Sequence, residues 1–146
     1  MQEVIIYTDG ACSGNPGVGG WAAVLTYNNV QKSISGGEKV TTNNRMELQA
    51  VIAGLSALKY KCKVQIYSDS AYVVNAFTQN WIKDWRANGW RTKGKKDVAN
   101  KELWLELLRL SEIHQITLNK VKGHSDVELN NLCDQLARAE IKKINR

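Results

Sequence analysis

The sequence predicts an α/β domain, a five-stranded mixed sheet with helices on both faces. Three patterns carry that expectation. Two short apolar runs, Val4 to Tyr7 and Val64 to Tyr67, each end in a small hydroxyl residue and an aspartate, Thr8-Asp9 and Ser68-Asp69, as buried parallel strands would. Between them lie two strand-like segments joined by Asn28-Asn29. Elsewhere apolar residues recur at helical spacing, with one further strand pattern near residues 116–121.

The first strand, Val4 to Gly10, loses its apolar character at Asp9. Residues 10–20, GACSGNPGVGG, are rich enough in Gly, Ser, Asn and Pro to predict a turn or long hairpin loop. They are not a phosphate-binding loop, because the G-x-x-x-x-G-K-[ST] pattern is missing and a strand pattern follows where a helix is required. Trp21 to Tyr27 and Val30 to Ser35 form a hairpin around Asn28-Asn29, a pair that tolerates the positive φ of tight turns. Thr41 to Asn44 offers N-caps for a helix from about Arg45 to Lys59. Val64 to Ser68 is the fourth strand, and Ala71 to Thr78 a short helix. Asn100 to Ile113 is an amphipathic helix with Leu103, Leu107 and Leu110 inward, followed by a strand over Ile116 to Val121. A polar loop, Lys122 to Asp126, leads to a last helix from about Glu128 to Ile144, whose apolar side carries Leu129, Leu132, Cys133, Leu136 and Ile141.

The 146 residues, 43% of them hydrophobic, are expected to form a single domain with a proper core. The apolar run ending at Tyr7 is too short for a signal peptide, and no window approaches a membrane span. Cys12, Cys62 and Cys133 are an odd set without Cys-x-x-Cys spacing, which argues against a disulfide framework or structural zinc and fits a reducing, cytoplasmic setting. The net charge of +6 and pI near 9.3 favour a polyanionic partner.

If the strands before Asp9 and Asp69 are parallel neighbours, strand spacing leaves the two carboxylates roughly 5 Å apart. Two unit charges about 4 Å apart repel by about 4 kcal/mol at an effective dielectric near 20. Such a pair calls for a cation between its members; the alternative is that each aspartate caps the turn or helix that follows. Glu47 adds to the pattern. Positions 47, 51, 54, 58 and 48, 52, 55 form the apolar face of their helix, and Glu47 alone among them is not Leu, Val, Ile or Gly. It either points toward the two aspartates or sits at the edge of the stripe, favouring the helix dipole.

The segment 83–101 is basic, with Lys83, Arg86, Arg91, Lys93, Lys95, Lys96 and Lys101 set against Asp84 and Asp97. Trp81 and Trp85 lie one helical turn apart and share a face. This is either a helix pinned by its Trp residues with a solvated basic face, or a nucleic-acid surface pairing cations with aromatics. A nearby acidic centre acting on a polyanion needs positive charge elsewhere to hold its substrate, which favours the second. Read alone, His124 is an ordinary exposed histidine and Asp134 a surface residue of the last helix, bordering its buried side.

Four blocks, YTDGACSGNPGVGGWA, TTNNRMEL, YSDSAYVV and VKGHSDVELNNLCDQLA, occur in the order found in bacterial type 1 ribonuclease H, and the chain resembles that family over nearly its whole length. The resemblance implies a ribonuclease H-like fold and an endoribonuclease that hydrolyses the RNA strand of RNA/DNA hybrids, leaving 5′-phosphate and 3′-hydroxyl ends. It implies Mg²⁺, with Mn²⁺ as the alternative, and two ions per site with substrate bound. Carried over, the metal-ligating quartet is Asp9, Glu47, Asp69 and Asp134, with Asp9 bridging the ions. His124 matches a loop histidine linked to proton transfer or product departure. Cys12, Asn15, Asn43 and Asn44 match minor-groove contacts, Thr42 and Asn100 a pocket for a DNA-strand phosphate, and Trp81, Trp85, Lys95 and Lys96 a hybrid-gripping protrusion over about 81–101. The expectation is a monomer with no membrane association, no obligate protein partner and no separate hybrid-binding domain. Two positions depart from the family pattern. Ala71 stands where relatives often carry Gln, and Val40 where many carry Arg. Two rival readings are a non-catalytic hybrid-binding module and a resolvase- or transposase-like enzyme acting on other nucleic acids.

Overall fold

A computed structural model describes residues 1–92, 94–121 and 127–145, apart from the side chain of residue 127. The elements are β1 Gln2–Gly14, β2 Gly17–Tyr27, β3 Val30–Thr41, α1 Asn43–Ser56, β4 Cys62–Ser68, α2 Ala71–Thr78, α3 Trp81–Ala87, α4 Lys101–Ile113, β5 Gln115–Lys120 and α5 Val127–Ile144. The sheet order is β3-β2-β1-β4-β5. β1, β2 and β3 are antiparallel neighbours, whereas β1 pairs with β4, and β4 with β5, in parallel. This is the mixed sheet that the sequence predicts.

Two cores form because the strands present apolar side chains to both faces. One face packs Ile6, Val64 and Ile66 under Leu48, Val51 and Leu55 of α1 and Trp104 and Leu107 of α4. The other places Tyr7, Ala22 and Val24 under Cys133 and Ala137 of α5. Each large aliphatic side chain so buried contributes about 1.5–3 kcal/mol.

The glycine-rich stretch differs from expectation. Instead of a loop over 10–20, β1 runs on to Gly14 and the ladder with β2 continues through Gly10↔Trp21, Cys12↔Gly19 and Gly14↔Gly17, leaving only Asn15 and Pro16 at the tip. Two of its glycines serve close packing rather than turning. A Cβ on Gly10 would overlap the backbone nitrogen of Glu47 in α1, and one on Gly20 the carbonyl oxygen of Ala137 in α5. Both helices therefore rest directly on the sheet backbone. The other hairpin is as predicted, with Asn28 and Asn29 at φ 48° and 64°.

α1 starts earlier than expected, because Thr42 rather than a later residue caps it, its Oγ1 accepting from the Arg45 amide at 3.2 Å. The tryptophans anchor the basic segment. Trp85 lies 5.3 Å from Trp104, 6.3 Å from Trp81 and 5.9 Å from Trp90 between ring centroids. The segment carrying Lys95 and Lys96 is thereby fixed to the core while both side chains remain exposed. His114 is buried at the C-cap of α4, just before β5, where its Nδ1 accepts from the Cys62 amide at 3.1 Å. Burial holds its pKa below the usual histidine range, so it serves as a neutral tether.

Candidate active site

Parallel pairing of β1 and β4 brings Thr8 opposite Ser68, so the next residues, Asp9 and Asp69, emerge side by side at the carboxyl end of β4. Neither aspartate caps a helix. Asp9 lies within a strand, and α2 is capped by Ser70, whose Oγ accepts from the Val73 amide at 3.3 Å. Asp9 Oδ1 accepts from the Gly10 amide at 2.9 Å, which fixes its rotamer. From above, α1 lowers Glu47 toward the same point. Ligand oxygens of Asp9, Glu47 and Asp69 all lie within 4.8 Å of one another.

This cluster is electrostatically unsatisfied. Asp9 and Glu47 are 5% and 4% exposed, and Glu47 Oε2 has no hydrogen-bond partner among the described residues. Burial, then the charge of Asp69, pushes the Asp9 carboxyl from 3.8 up to about 7. Burial, then the charges of Asp9 and Asp69, holds Glu47 well above the ordinary carboxylate range. Leaving buried carboxylates unpaired is costly, and hard oxygen donors on three sides are what a divalent cation requires. The three residues can hold such an ion.

Asp134 lines the same cleft, of about 520 Å³, together with Cys12, Asn43, Asn44, Ala71 and Tyr72. It stands apart from the group of three, with Arg138 Nε donating to its Oδ1 at 3.1 Å. Its charge still contributes to the raised pKa of Asp9. Beneath the cluster Cys133 Sγ donates to the Tyr7 carbonyl at 3.3 Å. Burial pushes that thiol up to about 12, so it is packing rather than a nucleophile.

The remaining expected contacts divide by location. Cys12, Asn43 and Asn44 border the cleft, and Asn15 is exposed at the β1–β2 tip. Thr42 caps α1. Asn100 precedes α4, its Oδ1 accepting from Arg45 Nη1 at 3.2 Å and its Nδ2 donating to the Tyr72 hydroxyl at 3.2 Å. Trp81 and Trp85 are half-buried. Lys95 and Lys96 sit on a tight turn in which the Thr92 amide donates to the Lys96 carbonyl at 2.8 Å. Val40 is 76% exposed. His124 and Lys93 lie outside the described residues. Sequence reasoning missed Tyr72, Arg138 and Arg45. Tyr72 was within reach, since it follows the α2 cap by two residues, but the other two act through partners that no spacing reveals.

A family model described as RNase H matches residues 1–142. The ribonuclease H of Acetivibrio thermocellus is 63% identical over 143 residues, covering 98% of this chain and 97% of that one. That of Symbiobacterium thermophilum is 61% identical over 141 residues, covering 97% and 96%. Among solved structures, LC9-RNase H1, a type 1 RNase H with the type 2 active-site motif, superposes with a TM-score of 0.85 at 28% identity, covering 97% of this chain and 73% of that one. LC11-RNase H1 in complex with RNA/DNA hybrid gives 0.77 at 24% identity, covering 98% and 99%, a likeness of fold. With its sheet order, its acidic cluster and relatives matching almost end to end, the chain belongs to the RNase H family.

Proposed function

We propose that this chain is a single-domain endoribonuclease that hydrolyses the RNA strand of RNA/DNA hybrids, leaving 5′-phosphate and 3′-hydroxyl ends. One observation carries the chemistry: three buried or cleft-lining carboxylates converge within 4.8 Å, and one of their oxygens has no protein partner among the described residues. The resident cofactor is Mg²⁺, with Mn²⁺ able to replace it, and two ions occupy the substrate-bound site. When bound, divalent cations supply Lewis-acid charge for activating water and for the oxygen that leaves. Asp9, Glu47 and Asp69 would hold that charge, and Asp134, which lines the same cleft, would complete the set.

The protein's own groups do the rest. Cys12, Asn15, Asn43 and Asn44 contact the wide minor groove of an A-like hybrid, where side chains and backbone amides read 2′-hydroxyls. Thr42 and Asn100 place a DNA-strand phosphate, and Trp81, Trp85, Lys95 and Lys96 grip the duplex at a second point outside the cleft. His124, in its imidazole ring, carries a proton during turnover or product release. In this reading the chain acts as a monomer and needs no obligate protein partner. Unpaired Cys12, Cys62 and Cys133 support a cytoplasmic setting, and no described helix is long and apolar enough to cross a membrane.

Incubating a strand-labelled RNA/DNA hybrid with and without Mg²⁺ tests the activity. Only the RNA strand should be cut, only with the metal, and single-stranded RNA and duplex DNA should survive. Binding without cutting would return the chain to a hybrid-binding module, and equal cutting of duplex DNA to a resolvase-like enzyme. In the same assay His124→Ala should lower turnover more than hybrid affinity; unchanged turnover removes His124 from the reaction.

The basic turn is tested separately. Replacing Lys95 and Lys96 by alanine should weaken hybrid binding and make the slope of log affinity against log salt shallower by about 0.7–0.9 for each phosphate no longer neutralised. A salt slope equal to that of the parent would make the segment a solvated face only.

A further inference from the structure

The end of the sheet farthest from the acidic cleft carries a groove with no assigned role. β1 runs from Gln2 at that end to Asp9 at the cleft, about 23 Å of strand. The groove, of about 210 Å³, lies between Ala57 and Leu58, which follow α1, and the ends of β1, β2 and β3, where Val4, Leu25, Tyr27 and Val30 line it. It shares no residue with the cleft. Four of the eight large hydrophobic residues exposed among those described, Met1, Tyr27, Val30 and Tyr60, gather here. Exposed apolar side chains scattered singly need no explanation, but a cluster of them marks a contact surface.

The chemistry of this surface is aromatic and cationic. Tyr60 is 72% exposed and Tyr27 37%, and neither ring packs on another aromatic ring among the described residues. Tyr60 stands between Lys59 and Lys61 in the chain, and Lys32 and Lys59 line the groove with it. None of these three lysines makes an ion pair among the described residues, and no Asp or Glu lines the groove. The turn that presents Tyr60 is held in place. The Leu58 amide donates to the Leu55 carbonyl at 3.2 Å, Cys62 Sγ donates to the Tyr60 carbonyl at 3.1 Å, and the Cys62 amide is tied to the buried His114. A backbone fixed beforehand loses little freedom when the ring it carries is covered.

Unpaired cations around solvent-facing tyrosines match single-stranded nucleic acid, whose phosphates pair with the lysines while an unstacked base covers a ring. A duplex keeps its bases stacked inside and cannot use the tyrosines. An acidic peptide would meet the same lysines, but the open tyrosine ring is the part that a flat base covers best. Building on the hybrid-cleaving function above, we propose that this groove binds single-stranded DNA, the strand set free where RNA has paired with one strand of a DNA duplex. The enzyme then holds its substrate at two places, the hybrid in the cleft and the displaced strand at Tyr60, Tyr27, Lys32, Lys59 and Lys61. The second contact selects hybrids embedded in duplex DNA over free ones.

The test is binding of a labelled oligothymidylate of about ten nucleotides to the full chain without divalent ions, beside steady-state cleavage of hybrids in Mg²⁺. Tyr60→Ala should weaken oligothymidylate binding about tenfold, and Tyr60→Phe, which keeps the ring, should bind as the parent does. Replacing Lys59 and Lys61 by alanine should make the salt slope shallower by about 0.7 for each phosphate no longer neutralised. None of these changes should move KM for a blunt-ended hybrid by more than about twofold. A hybrid flanked by a displaced DNA strand should show a lower KM than the blunt one in the parent, and that advantage should vanish in Tyr60→Ala. Melting curves confirm that each variant is folded. Equal oligothymidylate affinity in the parent and Tyr60→Ala overturns the proposal. So does tighter binding of oligouridylate at Tyr60, or binding there of a glutamate-rich peptide carrying phenylalanine with the oligothymidylate excluded from the site. A parent chain that binds oligothymidylate through Tyr60 but does not cut hybrids in Mg²⁺ overturns the function instead and leaves the groove's assignment standing.

Discussion

Asp9→Asn should abolish cleavage while making the metal-free protein more stable. Activity is expected to fall by about three orders of magnitude or more, since Asp9 belongs to a group that acts as a unit. Stability moves the other way because the parent carboxyl is strained by burial and by Asp69. An unfolded aspartate titrates near 3.8, whereas Asp9 in the folded chain keeps its proton up to about 7. Between those values the folded state binds more protons than the unfolded one. The contribution of this group to stability is therefore most favourable below about pH 4 and declines as pH rises through about 7. The penalty at pH 8 is on the order of a few kcal/mol, at about 1.4 kcal/mol for each pH unit by which the group is displaced. An asparagine carries no charge, and its amide can donate to the orphaned Glu47 Oε2. Without divalent ions the variant should melt about 5–10 °C above the parent at pH 8, and the difference should shrink toward pH 4. Adding Mg²⁺ should then raise the parent's melting temperature more than the variant's, because an ion bound only by the folded state stabilises it by mass action. A variant that melts below the parent in chelator at pH 8 would contradict the clustered carboxylates.

Gly10→Ala should be strongly destabilising although it touches no charged group. The added Cβ would meet the Glu47 backbone nitrogen and lie 2.9 Å from Met46 Cβ. Backbone cannot give way as a flexible side chain can, so β1 and α1 must separate. The expected loss is about 3 kcal/mol, which for a chain of this size lowers the melting temperature by about 10 °C. Activity should fall beyond what the loss of folded protein explains, because the same movement draws Glu47 away from Asp9. Gly94→Ala is the control, as its Cβ would find only Thr92 Oγ1 at 3.8 Å. It should change stability by no more than about 0.5 kcal/mol. Equal melting temperatures for Gly10→Ala and the parent would show that the strand and helix are not in direct contact.

The pairing of Asp9 with Asp69 was legible because strand ends obey a strict register: two similar apolar runs, aligned in parallel, deliver their next residues together. Glu47 was legible for a related reason, a carboxylate out of place in an apolar stripe. The extent of β1 was not. Glycine has no side chain with which to show whether it turns or lies flat beneath a helix, so Gly10 and Gly20 read as loop residues although they are contact points. Asp134 is a helix residue whose direction depends on how α5 lies across the sheet, and sequence periodicity does not encode that angle. Arg45 and Glu102, far apart in the chain, meet only because α1 and α4 pack together. The tryptophans were half legible, since their shared face was evident but not that Trp104 of α4 would receive them.

The close seat of α5 on β2, with the Ala137 carbonyl over Gly20, has a mechanical consequence for the cleft. Asp9, Glu47 and Asp69 stand on β1, α1 and the end of β4, whereas Asp134 rides on α5. Its distance from the other three carboxylates is therefore set by how deeply that helix beds on bare backbone, and a side chain at residue 20 would act as a shim that lifts one wall of the cleft.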